Sequence, residues 1–455
     1  MRITLLIAGT RGDIQPAIAL GVGLKKAGHA VRMVTFTEFR QLAVEHGLDF
    51  LPIQLDMPVL LERYGRPELF DSGAMVVRFL PEVLKVFQVM FGQMARDYWE
   101  ASQGAAAVIG CPATSWLGYA IAEKLGIPYL DSYVLPLAPT RSFPTIFWPW
   151  TASPGNGHGL SGWFNLLTHQ IFQGFAWSGM RPIVNRCRKH VLGLPAASFL
   201  DKVGRSEKQA VLTLAGFSEQ IVPRPVEWGE HIHVTGYWFL DTPVYEPPRD
   251  LKAFLEAGPP PVYIGFGSMP SKAPEQMADM MTQALRLAGK RGVPYTGRGI
   301  LGRGMTQQAS TNDVFFLDSA PHDWLFPHMA AVVHHGGAGT TAAGLRAGIP
   351  SILVPVAADQ LLWAQRVGEL GVGPKPIPRA RLTAERLARS VTQACTDQAM
   401  QECAARYGEK IRAEDGVGNV VRIINQYLVG ALPKSGPIQP DTPGMILPSP
   451  GAMDQ

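Results

Sequence analysis

Short apolar runs and longer amphipathic stretches take turns along this chain, the rhythm of strands alternating with helices. Residues 2–8, apolar apart from Arg2 and Thr4, read as a parallel strand buried on both faces. Pro16 then suits the first turn of a helix running to Ala27, with Ile18, Leu20, Val22 and Leu24 as apolar positions and Gly28 as its stop. Residues 30–36 read as the next strand, followed by a polar helix to His46. The rhythm returns with a strand at 106–109, a helix at 115–125 and strands at 128–130, 211–214 and 233–235. A second series opens at Val262 with a strand over 262–267. A helix over 274–290 follows, carrying Met277, Met280, Met281, Leu285 and Ala288 at helical spacing. Strands at 314–317, 330–333 and 349–354 come next, then helices at 360–369, 383–395, 398–412 and 417–429. Two such series predict an α/β protein with two doubly wound, Rossmann-like sheets.

Between the series, residues 241–261 are rich in proline and acidic side chains and read as a linker. It separates an amino-terminal domain, 1–240, from a carboxy-terminal one, 262–416. The tail, 431–455, is proline-rich and poor in large apolar residues, which predicts disorder. Two insertions, about 55–100 and 136–192, break the alternation and are rich in aromatic residues and methionine. Most of these side chains read as extra core under helices. A sharper reading makes the second insertion an apolar ligand pocket, with Phe143, Phe147, Trp148 and Trp150 as candidate contacts. A third is contact with a membrane surface, against which stands the lack of a matching basic amphipathic face.

Composition narrows the class. A chain of 455 residues that is 46% hydrophobic and 17% charged can bury large cores, and a net charge of +4 gives no electrostatic case for nucleic acid. Cys111, Cys187, Cys395 and Cys403 lie far apart with no C-x-x-C spacing, which suggests a reducing, cytoplasmic setting and neither a disulfide framework nor a zinc site. No secretory signal is visible, and no stretch reaches the roughly 18 apolar residues of a spanning helix.

Three short segments carry candidate chemistry. The apolar run ending in His334-His335 leads through Gly336-Gly337-Ala338-Gly339-Thr340 into a helix. Amides at such a turn and the helix dipole suit a phosphate, so His335 and residues Gly337, Ala338, Gly339 and Thr340 form a candidate diphosphate cradle. Ser268, after the strand at 262–267, is a further candidate donor. His334 reads as a strand residue on the opposite face, so the histidine pair is not a metal site. Asp359 and Gln360, just beyond the strand at 349–354, suit either sugar hydroxyls or the N-cap of the following helix. Asp13 lies in a strand-to-helix loop after Gly9, Thr10, Arg11 and Gly12, where it either caps the helix or faces a ligand.

Together, HHGGAGTT at 334–341, the later Asp359-Gln360 pair and the opening loop from Ala8 to Pro16 resemble the sterol and antibiotic glucosyltransferase branch of the family 1 glycosyltransferases. The resemblance runs from Met1 to about Leu428 and is loose in the middle. It implies the GT-B fold, two lobes facing a central cleft, with a final helix (417–430) crossing back to the first lobe. It also implies an inverting, metal-independent transfer of glucose from a UDP-sugar, a co-substrate and not a resident cofactor, to a hydroxyl of a hydrophobic acceptor such as a sterol or polyketide. Plant members carry histidine as the general base in G-H-x-N-P; here Gly12-Asp13-Ile14-Gln15-Pro16 puts Asp13 in that role. An aspartate of pKa near ~3.9 cannot deprotonate an alcohol beforehand but can accept its proton as the new bond forms. The acid that supports the plant histidine has no counterpart at 109–112. The W-A-P-Q nucleoside motif is replaced by Ser319-Ala320-Pro321-His322, which leaves Ser319, Ala320 and His322 as candidate nucleoside contacts and UDP or dTDP both open; Ala343 also replaces the ribose-binding glutamate. The resemblance names a nucleotide sugar and a hydrophobic small molecule as partners. The alternatives are a GT-B epimerase, which needs no apolar acceptor region, and a non-catalytic sugar-nucleotide binder, which needs no Asp13. A nicotinamide-dependent oxidoreductase fits poorly, because 9–12 lacks G-x-G-x-x-G.

Overall fold

A strand that is apolar along its whole length must be covered on both faces, and the helices of this chain are placed to do that. The computed structural model describes residues 1–55, 80–148, 159–198, 211–241, 245–266, 274–295 and 310–431. Ser268, Trp150, residues 56–79 of the first insertion and the tail from 432 onward lie outside the described residues. The first series runs β1 (Arg2–Leu6), α1 (Arg11–Lys26), β2 (Ala30–Phe36), α2 (Arg40–Glu45), β3 (Asp49–Ile53), α3 (Leu80–Ala101), β4 (Ala107–Gly110), α4 (Ser115–Leu125), β5 (Tyr129–Tyr133), α5 (Gly159–Cys187), β6 (Leu212–Ala215) and β7 (Ile232–Val234). Its strands form one parallel sheet in the order β3-β2-β1-β4-β5-β6-β7. Ile3, Leu5, Val108, Ile109 and Leu214 are wholly buried in it.

The second series runs α6 (Arg249–Glu256), β8 (Val262–Gly265), α7 (Pro274–Ala288), β9 (Gly292–Pro294), α8 (His322–Leu325), β10 (Ala331–His334), α9 (Ala338–Ala347), β11 (Ser351–Leu353), α10 (Asp359–Glu369), α11 (Ala384–Thr396), α12 (Gln398–Arg412) and α13 (Gly416–Ala431). Its strands are parallel, in the order β11-β10-β8-β9. The chain thus builds two Rossmann-like lobes, the arrangement of the GT-B fold.

Several sequence expectations change. The first helix starts at Arg11, so Pro16 lies inside it and not in its first turn. Lacking an N–H, Pro16 leaves the Gly12 carbonyl without its intrahelical donor. β3 was not anticipated from the pattern; it carries Pro52, which a sheet tolerates because β3 is an edge strand. Residues 314–317 make only isolated bridges to β9 and no strand. The amides of Phe315 and Leu317 donate to the carbonyls of Gly292 and Pro294, but the return bond would need an N–H on Pro294. Within the proline-rich stretch 241–261, α6 forms and buries Leu251 and Phe254.

The carboxy-terminal helix returns to the first lobe. Val420, Ile424 and Leu428 of α13 are wholly buried in the core that also holds Ile14, Ile18 and Leu20 of α1. His29 and Asn425 are joined by a 2.7 Å hydrogen bond, and the Asn419 amide donates to the Thr235 carbonyl at 3.0 Å. The helices approach so closely because Gly23 has no side chain: a Cβ there would lie 2.3 Å from Cγ1 of Val417. Gly23→Leu is therefore expected to overpack this contact and cost about 1–3 kcal/mol, read by chemical unfolding. Unaltered stability would show that the two helices have room to part.

Candidate active site

The cleft is assembled at the carboxyl ends of the strands, where helices begin and backbone amides point outward. From the first lobe comes Asp13, in the first turn of α1. Its carboxylate reaches back to the helix start: the Thr10 amide donates to Oδ2 at 2.9 Å, and the Thr10 hydroxyl to the same oxygen at 3.2 Å. Gly9 makes this possible. Its φ is +150°, and a Cβ there would fall 2.3 Å from Asp13 Oδ2. Burial raises the Asp13 pKa above the ordinary carboxylate value, and the bonds from Thr10 act in the opposite sense. Asp13 therefore caps its helix and also faces a small pocket, which Ile7, Cys111, Ser132, Leu135 and Trp238 help to line. The loop after β4, which lacks an acid, supplies Cys111 and Pro112 to this wall.

From the second lobe comes the turn between β10 and α9. His334 closes β10 and is wholly buried; its Nδ1 accepts the Gly336 N–H at 3.0 Å, which places the ring proton on Nε2. The side chain that sequence assigned to the far face of a strand thus shapes the glycine turn. His335 lies half-buried beside it, the two rings nearly perpendicular at 6.5 Å. Burial lowers the His335 pKa, so the imidazole is neutral near pH 7. A Cβ on Gly337 would meet His335 Nε2 at 2.6 Å, so this position too must stay bare. Gly337 is the N-cap of α9; Ala338, Gly339 and Thr340 form its first turn and are at least partly open to solvent.

Asp359 and Gln360 begin α10. Burial raises the Asp359 pKa, Trp363 and the backbone amides of Asp359 and of Ala338 at the start of α9 oppose this, and the charge of Asp13 adds to the rise. The two carboxylates, one from each lobe, therefore face a common space. Gln360 Oε1 accepts the Val356 N–H at 2.9 Å. Ala358, just before them, has φ +54° and ψ −133°, and it is the one non-glycine residue with positive φ among the described residues. His322 opens α8, stacked on Phe326 at 4.4 Å. Burial pushes its pKa down to about 4, with Arg11 of the first lobe and His335 adding to the fall. Ser319 is exposed and Ala320 half-buried nearby. Across the lobes, Asp13 and Asp359 thus act on each other, as do Arg11 and His322, with His335 beside the latter pair.

The structure does not bring the aromatic candidates to these groups. Phe143 is 9% exposed and packs against His169, while Phe147 stacks on Phe172 at 4.3 Å and Trp148 meets Phe164 edge-on. None of the three lines the pocket at Asp13. Arg379 was missed by sequence reasoning. Its half-buried guanidinium lies 5.7 Å from the Phe266 ring at the end of β8, and its amide donates to the Pro355 carbonyl at 3.1 Å. No motif marks it, and nothing marks Ala358, since an alanine gives no sign of a backbone only glycine favours. Among the described residues no group of His, Cys, Asp or Glu is placed to hold a metal ion. Because strain of this type costs about 1–3 kcal/mol, Ala358→Gly is expected to stabilise the fold by up to about that amount. Thermal unfolding checks it, and a less stable variant would mean that the alanine methyl makes compensating contacts.

Residues 3–144 match the glycosyltransferase family 28 N-terminal domain, and 305–426 match the erythromycin biosynthesis protein CIII-like C-terminal domain. A sterol 3-beta-glucosyltransferase of Cryptococcus neoformans is 36% identical over 451 residues, 94% of this chain and 27% of that protein. The sterol 3-beta-glucosyltransferase UGT80A2 of Arabidopsis thaliana is 35% identical over 453 residues, 95% of this chain and 66% of its own length. The chain thus spans about a quarter of the fungal relative and under two thirds of the plant one. Among solved structures, the calicheamicin glycosyltransferase CalG4 superposes with a TM-score of 0.67 at 17% identity, covering 95% of this chain and 99% of that one. The glycosyltransferase VinC, in complex with dTDP, gives 0.65 at 18% identity, with 94% and 100% covered. The chain is a GT-B-fold member of the glycosyltransferases, related to the sterol and antibiotic glucosyltransferases.

Proposed function

We propose that this chain transfers a hexose, glucose by preference, from a UDP-sugar to a hydroxyl of a hydrophobic acceptor, by a single displacement that inverts the anomeric centre and needs no metal. What supports this reading is the closeness of Asp13 of the first lobe and of the Ala338 amide at the start of α9 to Asp359, with a mostly apolar pocket beside Asp13. The acceptor hydroxyl would enter that pocket and hand its proton to Asp13 as its oxygen attacks the sugar. Partial desolvation makes this carboxylate a better base than a free aspartate, and the Thr10 amide keeps it aimed. The leaving diphosphate would gain negative charge at the N-terminus of α9, met by the amides of Ala338, Gly339 and Thr340 and by the His335 imidazole. Ser268, which follows β8 in the sequence, would add a further donor.

Asp359 would accept hydrogen bonds from sugar hydroxyls. Gln360, its carbonyl already occupied by Val356, would offer its NH2. Ser319, Ala320 and His322 would border the nucleoside, with His322 neutral at working pH and backed by Phe326. A cytoplasmic setting accords with four cysteines that are all free thiols, and among the described residues no helix is long and apolar enough to cross a membrane.

Calorimetric titration with UDP and with dTDP in EDTA tests the donor site: metal-free binding of one identifies the nucleoside, and silence from both removes the cradle. His335→Ala should weaken nucleotide binding by about 1–3 kcal/mol, the cost of a charge-assisted hydrogen bond. Asp13→Asn should leave that binding intact and slow transfer by about 10²–10⁴-fold. Equal turnover would take Asp13 out of the mechanism. The pH profile has a defined sign. Asp13 works deprotonated and its pKa is raised, so kcat/KM should fall as pH drops through a value above the ordinary aspartate range, and the Asn variant should lack that limb.

A further inference from the structure

Helix α5 is inside out over residues 160–175. The side chains it turns inward are polar: buried Asn165 donates to the Arg141 carbonyl at 2.8 Å, buried Thr168 accepts the Thr145 amide at 3.0 Å, and the buried His169 ring bonds the Phe143 carbonyl at 3.1 Å. The large side chains it turns outward are mostly apolar, although Ser161, Gln170 and Gln173 also face out. Leu160 is 90% exposed, Phe175 80%, Trp163 60%, Leu167 and Ile171 each 49%, and Phe164 43%. Positions 160, 164, 167, 171 and 175 share one helical face. A surface helix in water carries the opposite arrangement, and an apolar patch of this extent marks a contact surface.

The surrounding charge says what that surface meets. No residue from 159 to 180 is charged, and no acidic residue occurs from 132 to 200. The flanks are basic: the Arg141 guanidinium lies 4.5 Å from the Trp163 ring at one end, and exposed Arg186 and Lys189 follow at the other. We infer that the outer face of α5 docks on a lipid bilayer, its apolar side chains in the headgroup–acyl boundary and its flanking cations against anionic headgroups. A second copy of this chain is a poorer occupant, because a two-fold contact would set these all-cationic flanks against each other. The site's place in the fold adds a role. The loop packed under α5 begins at Val134 and Leu135, in the wall of the Asp13 pocket. An acceptor dissolved in the bilayer would thus be met beside the base; this role rests on the glycosyl-transfer reading, while the docking itself does not.

Flotation of the whole protein with vesicles of phosphatidylcholine, alone and mixed with phosphatidylglycerol, tests the docking. The protein should float with both, more so with the anionic mixture, and Trp emission should shift to the blue. Leu160→Gln combined with Phe175→Gln should reduce partitioning by about tenfold or more, since each change removes a large apolar side chain from the contact. Both sites are highly exposed, so melting temperature and UDP binding should not change. Three results would overturn the inference: a protein that stays in the dense fraction with either vesicle, a double variant that floats as well as the parent, or a dimer by sedimentation equilibrium that the double variant dissolves. Vesicle binding without any nucleotide binding would leave the docking standing and remove the glycosyl-transfer reading.

Discussion

The geometry of the cleft depends on how α13 is seated on α1. Helix α1 carries Asp13 at its start, and α13 arrives directly from the last helices of the second lobe. Val417 fills the notch at Gly23, while Val420, Ile424 and Leu428 share the first lobe's core. Further ties cross nearby: Ser218 donates to Glu414 at 2.5 Å, Arg366 to the Ile221 carbonyl at 2.8 Å, and Arg346 pairs with Asp241 at 2.8 Å. The exposed ion pair contributes little by itself. The apolar seat between the helices, which has no such exposure to water, holds the proposed base on one lobe in place relative to the proposed donor site on the other.

That closeness governs the electrostatics. Asp13, Asp359, His322 and His335 all shift toward their uncharged forms, and the first cause in each case is loss of water. These groups are thus already partly stripped of water before a ligand enters. A diphosphate would meet fixed dipoles in place of solvent, which is where preorganised donors are worth most. Arg11 is the cationic group that reaches His322 from the opposite lobe.

Much of this was legible in the chain. The apolar runs marked the central strands, because a buried parallel strand has little freedom to be anything else, and the glycine-rich turn at 336–340 announced a helix start that is there. The boundaries were less readable. Pro16 suggested a later helix start because proline favours a first turn, yet α1 begins at Arg11, with Asp13 accepting the Thr10 amide. β3 escaped notice because Asp49 and Pro52 interrupt its apolar pattern, which an edge strand permits. The aromatic residues at 143–148 read as core or as pocket wall, since type alone does not separate a side chain packed on a neighbouring helix, as these are on α5, from one facing a ligand. His334 was read as a strand residue on the face opposite His335, and it does close β10, but its bond to the Gly336 amide depends on a turn geometry that spacing does not encode.

The double duty of Asp13 has a consequence for a working cycle. As a carboxylate it closes the start of α1, where a negative charge near the helix N-terminus contributes about 0.3–1 kcal/mol. Once it carries a proton, that contribution vanishes and the bond from the Thr10 amide weakens. The first turn of α1, which includes Arg11, is then held less firmly. In the proposed reaction, a base built into a helix start in this way would couple its own protonation to the firmness of the wall around it.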